Sequence, residues 1–197
     1  MIITPCSHGL EGIGVSTGYR SPGLHMSTIY NSLYQELEPK RFIKGSTPDP
    51  LRLEAGLAFE SLLEEGIKQR LCGERMGEFI TAEGIVYSPD LILFNSAPTE
   101  RLGEIKLTWL SSKDVPREPA NGFPPKFDKY FTQMKAYCYH LETCYARLIT
   151  FFVNGTYRPP QPELLAWDVE FTKRELAENW QMLLNHAMHK RLLGIPI

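Results

Sequence analysis

Hydrophobic positions along the chain fall into three textures. The first 25 residues hold Gly9, Gly12, Gly14, Gly18 and Gly23 with no apolar period, which predicts a flexible N-terminal arm. Ser27 or Thr28 is then placed to cap a short helix that runs to Leu37 and stops before Pro39. After the turn-rich GSTPDP, a helical period over 51–71 puts Leu53, Leu57, Glu60, Glu64, Ile67 and Leu71 on one stripe. Two carboxylates therefore interrupt an apolar face. From Glu78 to Trp109 the period shortens to two, in EFITA, GIVY, LILF and LGEIKLTW, and predicts three or four antiparallel strands in a meander.

The segment SSKDVPREPANGFPPKF, with Pro116, Pro119, Pro124 and Pro125, excludes regular structure and is long for a loop inside a compact domain. A second helix is predicted from about Phe127 to Leu141. Strands at ARLITFFVN and LLAWDVEF follow, separated by RPPQPE. Thr172 and Glu175 have the spacing of a capping box and open a last helix with Leu176, Trp180, Leu183, Leu184 and Ala187 on one side. With no internal repeat, this order predicts a single α/β (α+β) domain over 1–197 rather than a doubly wound parallel sheet.

Composition agrees. A chain of 197 residues with 43% hydrophobic content can bury a core. No apolar run approaches the roughly 18 to 20 residues of a membrane helix, and MIITPCSHGLEG has no signal-peptide pattern. A soluble, cytoplasmic protein with no membrane partner is expected. Cys6, Cys72, Cys138 and Cys144 lack C-x-x-C spacing and are expected to be free thiols. His186 and His189 have a metal-compatible i, i+3 spacing but no evident acidic or thiolate partner, so an exposed polar face is the expectation. Cys72, near a helix end, is expected to be buried rather than nucleophilic.

The formal charge of −2 argues against a basic coat that holds nucleic acid by charge alone. That total hides a polarity: residues 51–100 hold 4 Lys/Arg against 9 Asp/Glu, whereas 101–147 hold 8 against 5. An acidic stretch followed by a basic one fits a carboxylate site for a cation beside a surface for an anion. Scattered solvated charge fits as well.

The informative stretch is SPDLILFNSAPTERLGEIKLT. If LILF and LGEIKLT form a hairpin around 96–99, the midpoint of Asp90 and Glu104 is Ala97, inside the turn. The two carboxylates then face each other at about 4.5 to 5.5 Å between Cβ atoms. Alternation puts Glu104 and Lys106 on one face, with Ile105 and Leu107 on the other. Two acids this close repel unless a cation lies between them, and an oxygen-only site suits Mg²⁺ or Mn²⁺. Lys106 would orient or deprotonate a water, or stabilise charge on a phosphate, which together describes metal-assisted phosphodiester hydrolysis. The same three side chains also fit a surface salt-bridge cluster. Gln133 and Tyr137 are i, i+4 neighbours on the second helix, beside Lys126, Lys129 and Lys135, a pattern that amphipathic packing also explains.

Taken in order, Gly56-Leu-Ala-Phe-Glu60, Pro89-Asp90, Glu104-Ile105-Lys106 and Gln133-Met-Lys-Ala-Tyr137 resemble the motifs of the PD-(D/E)xK nuclease superfamily, in its RecB-like and lambda-exonuclease-like branch. The resemblance covers roughly residues 51–141, the motif-bearing core, and leaves 1–50, with the arm of 1–25, and the C-terminal strands and helix of 142–197 unmatched. It implies a restriction-endonuclease-like core, a central mixed sheet with an antiparallel meander flanked by helices. It implies that Asp90, Glu104 and the main-chain carbonyl of Ile105 bind a divalent metal, with Glu60 completing the site and Lys106 as the catalytic lysine. Gln133 and Tyr137 would position the DNA strand. Many RecB-like members carry His where this chain has Glu60, and Glu occurs there in phage-exonuclease-like members. With no cysteine after Cys144, the iron–sulfur cluster of some RecB-like nucleases is not expected.

The function so implied is a Mg²⁺-dependent deoxyribonuclease, with Mn²⁺ able to substitute, acting on DNA ends in recombination or DNA processing in a bacterial or phage-infected cell. A structure-specific endonuclease and a non-cleaving nucleic-acid or protein binding module are the alternatives. A recombination or single-strand-binding protein would be a natural partner, and a homo-oligomer is compatible with the sequence. Lys113 and Arg117, with Lys126 and Lys129, are the candidates for DNA contact, and the loop 113–125 for gating.

Overall fold

The period-two runs become strands and the 3.6-period runs become helices, as a core-facing pattern requires. In the computed structural model of the chain, residues 21–39, 55–56, 58–59, 61–62, 66, 73–94, 101–115, 122–154 and 161–193 are described. In chain order they form β1 (Leu24–His25), α1 (Met26–Leu37), β2 (Gly73–Arg75), β3 (Phe79–Ile80), β4 (Ile85–Tyr87) and β5 (Leu91–Leu93). They continue as β6 (Arg101–Thr108), α2 (Asp128–His140), β7 (Tyr145–Phe152), β8 (Glu163–Glu170) and α3 (Lys173–His189). The fold is mixed α/β, as the element order predicts.

Five strands make one mixed sheet in the order β2-β5-β6-β7-β8, and three make a small sheet in the order β1-β4-β3. β6 is central: it runs antiparallel to β5 and parallel to β7. The expected meander is corrected here. β4 and β5 are separated only by Ser88-Pro89-Asp90, yet they belong to different sheets. Pro89 has a fixed φ and no N–H to continue a ladder, so the chain leaves one sheet and enters the other at this point.

One face of the large sheet packs on α2 and α3 through Leu102, Leu148 and Phe152 from the strands and Met134, Tyr137, Trp180 and Leu183 from the helices. The opposite face gathers Leu91, Leu93, Ile105 and Ile149. Phe59, one of the described helical residues 55–56, 58–59 and 61–62, meets Phe151 there, with ring centroids 4.3 Å apart. The described residues of the helix expected over 51–71 are helical, but its stripe of Leu53, Leu57, Glu60, Glu64, Ile67 and Leu71 lies outside the described residues.

Helix boundaries mostly follow the local signals. The capping box is present, with Thr172 Oγ1 accepting from the Glu175 N–H and the Glu175 carboxylate accepting from the Thr172 N–H. α1 differs from expectation: its N-cap is His25, in extended conformation, because the helix starts directly out of β1 and Ser27 and Thr28 fall inside its first turn. The proline-rich segment is not wholly irregular, since 3-10 turns occupy Ser112–Asp114 and Pro125–Phe127. Among the described residues no helix is long and apolar enough to cross a membrane.

His186 is also corrected. It lies on the buried face of α3, where its Nε2 is 3.0 Å from Ser32 Oγ and its Nδ1 3.7 Å from Glu36, so it joins α3 to α1 instead of lining an exposed face. His189 is exposed. Cys138 is a buried free thiol and Cys144 a half-buried one, while Cys6 and Cys72 lie outside the described residues. Burial and then the neighbouring Cys144 push the Cys138 thiol up to about 12, which leaves it inert.

Candidate active site

The register of β5 on β6 pairs Leu91 with Gly103 and Ile92 with Leu102. Continued by one residue, it sets Asp90 against Glu104. Strand alternation turns Glu104 and Lys106 toward α2, while Ile105 points into the opposite cluster with Leu91, Leu93 and Ile149. Asp90 Oδ2 accepts a hydrogen bond from the Ile105 N–H at 2.8 Å. Lys106 Nζ donates to Glu104 Oε1 and stands 4.0 Å from Asp90 Oδ2. Two carboxylates and one ammonium thus converge on the α2 face of the central strand.

Pro89 contributes by what it lacks. In a strand the N–H and C=O of a residue point to the same edge, so the Ile105 carbonyl faces the edge where its N–H meets Asp90. The same register would bring Pro89 opposite Ile105, and proline has no N–H to give that carbonyl. Beyond the end of β5, the carboxylate of Asp90 and the carbonyl of Ile105 therefore lie along one edge.

Glu104 is fully buried, and a buried carboxylate persists only with donors around it. Lys106 supplies one; Gln133 supplies another, its Nε2 lying 2.6 Å from Glu104 Oε1. Gln133 Nε2 also reaches the Tyr137 hydroxyl at 3.2 Å. These contacts explain a glutamine and a tyrosine on the buried side of α2, where amphipathic packing would favour apolar residues. Burial by itself would pull the Lys106 ammonium down, but the charges of Glu104 and then Asp90 outweigh it and hold its pKa well above the usual lysine value. In this arrangement Lys106 carries a positive charge. Burial and then the charge of Glu104 raise the Tyr137 phenol well above its ordinary value, so it stays neutral and can donate.

The donor set fits a divalent cation: two carboxylates already gathered around an ammonium, with a main-chain carbonyl on the adjoining edge, all oxygen. Among the described residues no three His, Cys, Asp or Glu side chains converge on such a position. Glu60, the third expected acidic ligand, lies outside the described residues.

The remaining lysines divide. Lys129, one turn before Gln133 on α2, is half-buried with its Nζ 5.4 Å from the centroid of the Tyr30 ring. Lys113 and Lys126 are exposed on the two 3-10 turns that flank 116–121, outside the buried cluster. Arg117 lies outside the described residues. Lys135 turns away, over the Phe171 ring and 3.8 Å from Glu175. A cavity of about 620 Å³ lies on that side, lined by Asp128, Lys135, Glu170, Glu175 and Glu178 among others. None of Asp90, Glu104, Lys106, Gln133 or Tyr137 lines it, and its four carboxylates oppose a phosphate.

Sequence reasoning missed two contributors. Asn154 pins the segment after β6: its Oδ1 accepts from the Ser112 N–H at 2.9 Å and its Nδ2 donates to the Gln161 carbonyl at 2.6 Å. The Asn-Gly pair at 154–155, with Asn154 at φ 53°, was a usable signal for a left-handed position. Tyr30 had none, because nothing local distinguishes it from the other apolar positions of α1.

No family model and no curated protein matches the chain. Solved structures do. A crystal structure of an alkaline exonuclease from Laribacter hongkongensis aligns over 85% of this chain and 81% of that chain, at 13% identity and a TM-score of 0.50. The structure of that exonuclease in complex with dAMP aligns over 87% and 90%, again at 13% identity and a TM-score of 0.50. With a mixed sheet and flanking helices, and with Asp90 set against Glu104 and Lys106 of its central strand, the chain has the fold of the alkaline exonuclease with which it aligns.

Proposed function

We propose that the protein is a metal-dependent deoxyribonuclease that hydrolyses phosphodiester bonds, working as an exonuclease on DNA ends. One observation carries this reading: Asp90 and Glu104 oppose each other across β5 and β6 with the Lys106 ammonium between them. A surface salt-bridge cluster would not bury Glu104 fully or surround it with Gln133 and Tyr137.

In this reading Asp90, Glu104 and the Ile105 carbonyl hold Mg²⁺ or Mn²⁺, and Glu60 completes the set. The ion, when bound, supplies Lewis-acid polarisation of the phosphoryl group and a more acidic water. Gln133 keeps the Glu104 carboxylate oriented, as outer partners of ligating carboxylates do. Lys106 meets the negative charge that grows on the phosphoryl oxygens as the water oxygen bonds to phosphorus and the P–O bond to the sugar breaks. Lys129, Lys113 and Lys126 take the flanking phosphates. The exonuclease folds that align with this chain favour action on ends over internal cutting.

Incubation with end-labelled linear DNA and Mg²⁺ or Mn²⁺ tests the reading. Metal-dependent degradation that disappears in Lys106→Ala is expected, with covalently closed circles left intact. Intact linear DNA at high enzyme, or full activity in Lys106→Ala, would overturn it; cleaved circles would reassign it as an endonuclease.

A further inference from the structure

Thr150 lies in the middle of β7 with 0% of its surface exposed, and among the described residues its hydroxyl oxygen has no hydrogen-bond partner. A buried hydroxyl left unpaired costs free energy that a valine of the same shape avoids, so a threonine here calls for a reason. Strand alternation sets it on the helix-facing side of the large sheet, between Leu148 and Phe152 of the core. Of its two partners across the ladder, Leu165 on β8 is apolar and the other is Lys106 on β6. Registered residues on adjacent strands lie about 4.8 Å apart and point to one face, so the unpaired oxygen stands beside the stem of Lys106.

The far end of Lys106 is committed elsewhere. Its ammonium donates to Glu104 Oε1 and stands 4.0 Å from Asp90 Oδ2. Those two carboxylates are also the side chains assigned to the divalent ion, and two cations that share them repel each other. Lys106 therefore needs a second acceptor whenever Glu104 and Asp90 are engaged. Among the described residues Thr150 carries the one buried hydroxyl without a partner, and the sheet register puts it next to Lys106. The ring of Tyr130, its centroid 6.0 Å from Lys106 Nζ, offers a face to the charge but no lone pair to an N–H.

We propose that Thr150 is a positioning residue for Lys106: when Glu104 and Asp90 take up a divalent ion, the Lys106 ammonium donates to Thr150 Oγ1. The move relieves the competition for the carboxylates and leaves the remaining N–H groups of Lys106 for the substrate phosphate. The inference rests on the metal site of the nuclease reading above, and adds to it a residue and a strand from outside the four motifs. Thr150 acts through Lys106 and touches neither the ion nor the reacting atoms.

Thermal unfolding of the metal-free protein, calorimetric titration with Mg²⁺ in the absence of DNA, and kcat and KM on linear DNA separate these roles. Thr150→Val keeps the shape and removes the oxygen. Its metal-free form is expected to unfold at or above the wild-type Tm, because nothing pairs with the hydroxyl there. Mg²⁺ affinity should fall about tenfold and kcat about tenfold or more, with KM within about twofold, as loss of an outer partner does. Thr150→Ser keeps the oxygen but leaves a cavity, so its Tm should fall while Mg²⁺ affinity and kcat stay within about twofold of wild type. A threonine that only packs would leave Thr150→Val the equal of wild type. In a Lys106→Met background Thr150→Val should not change Mg²⁺ affinity, since the ammonium through which it acts is gone. Wild-type Mg²⁺ affinity or a lowered metal-free Tm in Thr150→Val, or the same weakening without Lys106, would overturn the proposal. Wild-type protein that binds no Mg²⁺ would overturn the metal site and this inference with it. Wild-type protein that binds Mg²⁺ but leaves DNA intact would overturn the nuclease reading alone, and the Mg²⁺ titrations still decide the role of Thr150.

Discussion

Gln133 on α2 donates a 2.6 Å hydrogen bond to the buried carboxylate of Glu104 on β6, and so ties the helix to the strand at the point where the acidic pair is assembled. Replacing Gln133 with Leu preserves volume but leaves Glu104 one donor short. The expected loss is roughly 1 to 3 kcal/mol of stability, from the weakened satisfaction of a buried charged acceptor. A fall of about 10- to 100-fold in Mg²⁺ affinity or activity should accompany it. Urea unfolding and a metal titration of the variant check both; unchanged metal affinity would show that Gln133 only packs.

Lys106→Met removes the ammonium that Glu104 and Asp90 share. Breaking a buried pair from one side costs about 3 to 5 kcal/mol, and the nuclease activity should fall to background. The pH dependence has a definite sign. The folded-state pKa of Lys106 is raised above the unfolded value of about 10.4. Its contribution is therefore fully present below that value and is lost only as pH rises through the higher folded value. Wild type should exceed Lys106→Met in stability up to about pH 9 and converge with it only in strong alkali. A gap already closed at about pH 9 would contradict the ion pairing.

Gly103 sits opposite Leu91, one residue from the acidic pair. A Cβ built there would lie 3.1 Å from Leu91 Cβ and 3.3 Å from Leu93 Cγ, so β5 must move to admit a side chain. Gly103→Val is expected to cost about 1 to 3 kcal/mol by overpacking. It should also lower metal affinity, since the displacement separates Asp90 from Ile105. Denaturation and metal titration of the same preparation reveal whether the two effects move together.

The capping box of α3 lies far from the acidic pair, so its loss should affect stability alone. Thr172→Ala removes the oxygen that accepts from the Glu175 N–H and is expected to destabilise by about 1 kcal/mol. kcat at a temperature well below Tm should not change. A loss of activity beyond that of stability would link α3 to the site.

Much of the site could be read from the chain because it depends on short-range geometry. Asp90 and Glu104 are symmetric about Ala97 in the sequence, and the observed pairing of Leu91 with Gly103 has the same midpoint. The alternation that separates Glu104 and Lys106 from Ile105 is a property of any strand. Gln133 and Tyr137 share a face because they are one helical turn apart. The split at Pro89 was not read, because a proline between two short strands marks an interruption but not which sheet each half joins.

Sequence alone determined the longer strands and the helices around the site, the capping box, and the pairing of the two acids with the lysine beside them, since each follows from spacing within one element or one turn, whereas β1 and β2 were not read. Tertiary structure decided what lies across from them: Gln133 against Glu104, Tyr30 under Lys129, His186 against Ser32 and Glu36. Those contacts join residues as far apart in the chain as the 154 positions between Ser32 and His186. They are selected by which helix faces bury together on the sheet, a choice that packing and desolvation make globally and that no local period encodes.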